Sequence, residues 1–296
     1  MDLTSWIGFN ILVAILLAID LYFSRDHHIR STRESILWSA FWIGLALLFN
    51  LYIYYVRGID DAINFLTCYL IEKNLSLDNL FIFYLIFKSF HIPDELTHKP
   101  LFWGIIGAIM TRTAFILGGI ALVDQFHFLF YILGAFLIYM GTKMLLAKRI
   151  HKDPQKNGLV LFFERFFPYT HAQSDRFFVE NEGKWVATPL FLALLAVEST
   201  DILFTIDSIP ALFGITLDPY IIYTSNIFAI LGLRSLYFVI VATFLRMQWV
   251  ETAIAGILCM IGVTMLLEAF FDIPAFVKLI SVLFILIISF LLRKKS

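Results

Sequence analysis

Nine stretches of this chain are each long and apolar enough to cross a bilayer, which makes a membrane the solvent in which it must fold. The runs cover roughly 5–23, 35–56, 62–88, 100–122, 126–147, 188–215, 220–243, 250–271 and 274–292, against a requirement of about 20 apolar residues per crossing helix. Hydrophobic residues make up 60 % of the chain and charged ones only 15 %, too few to coat a water-soluble fold of this length. The expected fold class is therefore all-α: a polytopic membrane helix bundle of about nine transmembrane helices, with 1–296 as a single transmembrane domain. Seven spans are the alternative count. The first run follows Met1-Asp2-Leu3-Thr4-Ser5, which lacks a basic stretch, and it ends without a small-residue cleavage site. It reads as a retained span.

The basic residues orient the bundle. With the N-terminus outside, the inner segments hold sixteen Lys and Arg residues and the outer segments only Arg57. Cytoplasmic loops carry such an excess, so the N-terminus is expected on the periplasmic side and the C-terminus in the cytoplasm. The long loop 148–187 is then cytoplasmic. Leu159–Phe167 is too short to span, is stopped by Pro168, and reads as an interfacial segment. Arg176–Glu180 and Lys184–Ala187 flank Asn181-Glu182-Gly183 and predict a small β-hairpin. The net charge of −1 calls for no nucleic-acid partner. The two cysteines, Cys68 and Cys259, lie inside apolar runs and indicate no disulfide framework.

The chain repeats itself. Leu75-Ser76-Leu77-Asp78-Asn79-Leu80 and Phe204-Thr205-Ile206-Asp207-Ser208-Ile209 share one pattern at an offset of 129 residues, which also places Glu72 on Asp201. Gly107–Phe115 resembles Ala229–Tyr237, each with one mid-helix arginine, and Gly141–Leu146 resembles Gly262–Leu267. The expected organisation is a first repeat at 62–147, the cytoplasmic connector at 148–187 and a second repeat at 188–271. Three helices per copy invert one copy relative to the other, as in secondary transporters, whose sites lie at the repeat interface near mid-membrane.

Charges in these spans are costly unless they are paired or face a polar cavity. The central acids are Glu72, Asp78, Glu198, Asp201 and Asp207, and the central bases are Lys73, Arg112 and Arg234. If all ionise, two negative charges remain, which a divalent cation or protons would offset. The candidate metal ligands are Asp78, Asp207, Asp201, Glu72, Glu198, Asn79 and Ser208, with Ser76 and Thr205 adding oxygens. Arg112, Arg234, Lys73 and Asp20 are the candidates for charge balance or proton coupling, although Asp20, near the inner end of its span, also reads as a solvated carboxylate. The seven histidines fall in loops or interfaces, so the donors are oxygens, which suit Mn²⁺, Ca²⁺ or Mg²⁺ better than Zn²⁺ or copper. Acids six residues apart point about 120° apart on a regular helix, so breaks are expected near 207–210, helped by Pro210, and near 76–79. Glu268 and Lys278 are expected to snorkel at the outer interface.

These segments carry a resemblance. Glu72–Asn79, Glu198–Ala211 and Thr224–Phe238 closely resemble the signatures of the TerC family, and Phe166-Phe167-Pro168 and Ala187-Thr188-Pro189-Leu190 are similar to its cytoplasmic linker. Thr205 stands where a small residue such as alanine is frequent. The long form is similar to the Alx-like branch. The resemblance implies membership of the LysE transporter superfamily, the bacterial inner membrane, and Mn²⁺ export as the activity. It also brings labels of tellurium resistance and redox modulation. No permanently bound cofactor is implied; the divalent cation is cargo, exchanged for protons, and a homo-oligomer is left open. No enzyme is expected, because no nucleophile–base pair and no HExxH helix is present. A scaffold whose loop recruits partners is the remaining alternative.

Overall fold

The computed structural model describes residues 3–22, 32–146, 174–181, 184–243, 248–268, 270–271 and 273–292. The expected interfacial segment Leu159–Phe167 lies outside them. The helices are α1 (Leu3–Tyr22), α2 (Thr32–Arg57), α3 (Ile59–Ser89), α4 (His98–Gln125), α5 (Phe128–Leu146), α6 (Pro189–Phe213), α7 (Pro219–Ile230), α8 (Leu233–Thr243), α9 (Gln248–Leu267) and α10 (Ala275–Leu292). Before α6 stands the predicted hairpin, β1 (Phe178–Asn181) paired antiparallel with β2 (Lys184–Ala187), Phe178 opposite Ala187.

Among the described residues, α1, α2, α5, α6, and α4 together with the turn before it are each long and apolar enough to cross a membrane. The pair α7–α8, bent by 43°, makes a sixth if it is one span. The protein is thus an all-α, multi-pass integral membrane protein with five to six such helices, short of the nine that the apolar runs predict. Helix α3 has 31 residues, about 46 Å, but its charges keep it out of that set. The apolar parts of α9 and α10 are shorter helices, Thr252–Leu267 and Ala275–Leu291.

Local sequence explains the helix ends. Pro189 and Pro219 sit in the first turns of α6 and α7, where a missing N–H costs nothing. Asp218 caps α7 by accepting from the Tyr220 and Ile221 amides. The Thr188 hydroxyl donates to the Arg176 carbonyl and ties the hairpin to the start of α6. Between α5 and α9, the most extensive helix pair, glycines allow close approach: a Cβ on Gly141 would lie 2.5 Å from Cys259 Sγ, and one on Gly262 would lie 2.5 Å from the Gly134 carbonyl. Small residues at helix crossings are the usual means of tight packing where lipid offers no hydrophobic drive.

Two apolar cores bracket a polar layer. The first core takes Ile71 of α3, Ile116 and Ile120 of α4, and Ile209 and Leu212 of α6. The second takes Leu80 and Phe83, Ile105 and Ala108, and Ala193 and Val197 from the same three helices. Glu72–Asn79, Arg112 and Asp201–Ser208 lie between. Along the chain α3 runs from the first core to the second, whereas α4 and α6 run the opposite way, and α7 followed by α8 runs as α3 does.

Three expectations are corrected. Both α3 and α6 are continuous through 76–79 and 207–210. Pro210 lies three residues before α6 ends at Phe213; it frees the Ile206 carbonyl without interrupting the helix. The break instead falls between α7 and α8, where Leu231 is extended (ψ 129°) and Gly232 has φ +84°. Lys278 does not snorkel. It is buried, pairs with Glu268, and donates to the Gly214 carbonyl at 2.9 Å, where α6 leaves its last carbonyls unpaired. Nor is Asp20 a solvated carboxylate; it is 4 % exposed and ion-paired.

Candidate functional site

The polar layer is built around one guanidinium. Arg112, 1 % exposed in α4, forms an ion pair through Nη1 with Glu72 of α3 and another through Nη2 with Asp201 of α6, the latter at 3.2 Å. Glu72 is fully buried and Asp201 is 5 % exposed. The two acids related by the 129-residue offset thus converge on the same cation from antiparallel helices. Asn226 of α7 completes the group: its amide nitrogen donates to Glu72 at 3.2 Å, and its oxygen accepts from Arg112 at 3.4 Å. Sequence reasoning missed Asn226, although an amide within an apolar run is itself a signal of a buried polar site.

This group is not saturated. Asp201 Oδ2 and Arg112 Nε have no hydrogen-bond partner, nor do the hydroxyls of Ser76 and Ser208, both buried. Native interiors leave few such atoms. Asn79 is buried nearby in sequence, and the Thr205 hydroxyl donates to the Asp201 carbonyl. The side chains of Asp78 and Asp207 lie outside the described set. Among the described residues, no three His, Cys, Asp or Glu side chains come together as a metal cage. Cys68 belongs to the first apolar core.

The remaining predicted charges separate into two places. Glu198, one turn before Asp201, is half-buried and has no hydrogen-bond or ion-pair partner among the described residues. It lies against Gly107 of α4, where a Cβ would overlap its carboxyl group. Gly107→Ala therefore displaces the flexible end of Glu198 and little else. The expected result is an unchanged melting temperature in detergent with impaired turnover in whatever assay reports the protein's activity; unaltered activity would mean that the position of Glu198 is immaterial.

At the helix break, Lys73 donates to the Ala229 carbonyl at 3.2 Å, a cation on the negative end of α7. Arg234, in the first turn of α8, pairs with Asp20 of α1 at 2.7 Å and donates to the Asp20 carbonyl. Asp20 so placed also suits the positive N-terminal end of α8. Of the two arginines that the sequence treats as equivalents, Arg112 binds acids of both proposed repeats, and the partners of Arg234 include Asp20 of α1.

An ionic layer enclosed between two apolar cores defines an integral membrane protein with a buried charged site. The model of the integral membrane protein TerC family matches residues 56–295, and the chain belongs to that family. Among its relatives are the membrane protein STKORF319 of Myxococcus xanthus, 40 % identical over 93 % of this chain and 86 % of its own length. A membrane protein of Rickettsia bellii is 40 % identical over 98 % of each chain. Alx of Escherichia coli K12, whose name proposes a membrane-bound redox modulator, is 40 % identical over 97 % of this chain and 93 % of its own. No solved structure matches.

Proposed function

We propose that the protein is a transporter that exports a divalent cation, Mn²⁺ in the first instance, across the bacterial inner membrane in exchange for protons. The observation that carries this is the unsaturated ionic layer at Arg112. Two carboxylates face one guanidinium, and Asp201 Oδ2 is left unpaired at 5 % exposure. A purely structural ion pair at that depth would be expected to satisfy all its oxygens, since each unpaired one costs free energy. A hard cation or protons would offset the excess charge. Glu72, Asp201, Asp78, Asp207 and Glu198 would supply carboxylates, and Asn79 and Ser208 would add neutral oxygens. Ca²⁺ is the alternative cargo.

In this reading α3, α9 and α10 also cross, which completes nine spans with the N-terminus outside, and α3–α5 and α6 to α9 are the two inverted copies. The packing supports it. α3 runs antiparallel to α6, and α4 to α7–α8. The contact of α3 with α7 is mirrored by that of α6 with α4, while α5 packs on α9. Two such related copies are natural for a transporter and unnecessary for an enzyme or a scaffold. The redox role in the names of the Alx relatives has no paired cysteine motif to draw on here; Cys68 and Cys259 are both free, the first in the apolar core.

Flux in proteoliposomes under an imposed pH gradient, with Mn²⁺, Ca²⁺, Mg²⁺ and Zn²⁺ compared, tests the proposal. Mn²⁺ movement that consumes the gradient is expected. Asp78→Ala and Asp207→Ala should each abolish that flux while the protein still inserts; normal flux in either variant would overturn the assignment.

A further inference from the structure

Three helix ends meet beside the first apolar core: the last turn of α6, the last turn of α9 and the first turn of α10. Helix α6 stops at Gly214 in a right-handed conformation, without the left-handed residue that folds many helices back onto their last carbonyls. Gly214 is pressed against α9, where a Cβ would lie 2.3 Å from Ile261 and 2.9 Å from Met265. The main chain at this end is therefore held in place, and buried carbonyls need donors. The donor is the Lys278 ammonium, 6 % exposed in α10. It donates to the Gly214 carbonyl at 2.9 Å and to the Ile215 carbonyl at 3.3 Å. It also pairs with Glu268, just past the end of α9, at 2.5 Å. The three N–H groups of one ammonium thus meet three oxygens.

We propose that these three oxygens form a monovalent-cation site, and that the chain fills it with its own ammonium. Main-chain carbonyls at a helix C-terminal end are what transporters use to hold Na⁺. The negative end of α6 adds to the attraction. The site has one carboxylate, so one positive charge balances it. Lys278 supplies that charge from a neighbouring helix, and no free ion has to bind. Helix α6 carries Asp201 and Ser208, so Lys278 is a positioning residue for the buried layer. It holds α6 whatever the salt outside. The inference stands apart from the transporter reading, since it concerns what fixes α6 and not what crosses the membrane.

Removing the ammonium should create a requirement for a free ion. The parent and Lys278→Ala are melted in detergent in the chlorides of Na⁺, K⁺, methylammonium and the bulky N-methylglucamine, at one ionic strength. The parent should respond alike to all four. In N-methylglucamine the variant should melt about 5–10 °C lower, as befits loss of one partner from a buried pair. A small monovalent cation should restore most of that loss, with a saturable dependence on its concentration. The double variant Lys278→Ala/Glu268→Gln should show no such recovery. If Lys278→Ala fails to insert, Lys278→Gln takes its place with the same expectation, because it too leaves Glu268 uncompensated. A loss that no monovalent ion reverses would reduce Lys278 to an ordinary ion pair and overturn the site. So would a Lys278→Ala protein as stable as the parent in N-methylglucamine, since the oxygens would then need no cation. Recovery with Mn²⁺ or Ca²⁺ alone would overturn the monovalent class.

Discussion

Replacing Arg112 by methionine is expected to destabilise the bundle by about 3–5 kcal/mol, the usual consequence of removing one partner from a buried ion pair. The guanidinium holds Glu72 and Asp201 together and also donates to Asn226. Without it two carboxylates are left buried, at 0–5 % exposure, with no cation between them, and an uncompensated buried charge is what makes such a loss large. Arg112→Lys should recover little, because a single ammonium cannot reach two carboxylates and an amide in a planar fork. The triple variant Arg112→Met/Glu72→Gln/Asp201→Asn removes all the charge and should restore most of the stability, since neutral groups of similar volume replace buried ion pairs at small cost. Thermal unfolding in detergent reads the first effect, and cation flux reads the second. Recovery of folding without flux would separate the structural role of the layer from its transport role. Recovery of both would mean that Glu72 and Asp201 carry no ion.

Gly232→Ala is expected to cost about 2–5 kcal/mol, from two sources that add. Gly232 has φ +84°, a conformation that disfavours any residue with a Cβ. The added methyl would also lie 2.6 Å from the Trp42 ring, and Trp42 is 1 % exposed in a further apolar cluster that it forms with Phe9 and Phe228. The break at this glycine separates α7 from α8, placing the Ala229 carbonyl for Lys73 and the first turn of α8 for Asp20. Trp42→Phe in the same chain should relieve neither the overlap nor the backbone strain, because the atoms met are Cβ, Cγ and Cδ1, which phenylalanine keeps. A melting temperature in the Gly232→Ala variant within error of the parent would show that the bend can straighten at no cost.

Much of this protein is legible in its residues. Apolar runs locate the helices because lipid leaves the backbone no other way to satisfy its polar groups. The hairpin at Phe178–Ala187 follows from turn residues between two short β-prone stretches. The acids at 72 and 201 stand out because their cost in an apolar span demands a partner. Asn226 was visible in the same way. The place of the break was not. Proline is the stronger local signal, yet Pro210 sits almost at the end of α6, whereas Gly232 permits a positive φ in mid-bundle.

The sequence by itself determined the solvent, the helices and the acids that stand 129 residues apart, because period, hydropathy and the cost of buried charge are properties of single segments. The tertiary structure alone decided who answers each charge. A helix period tells which face a side chain occupies, but the neighbour on that face comes from another part of the chain. So it fell to packing that Arg112 gathers Glu72, Asp201 and Asn226, that Arg234 is answered by Asp20, and that Lys278 turns inward to the end of α6.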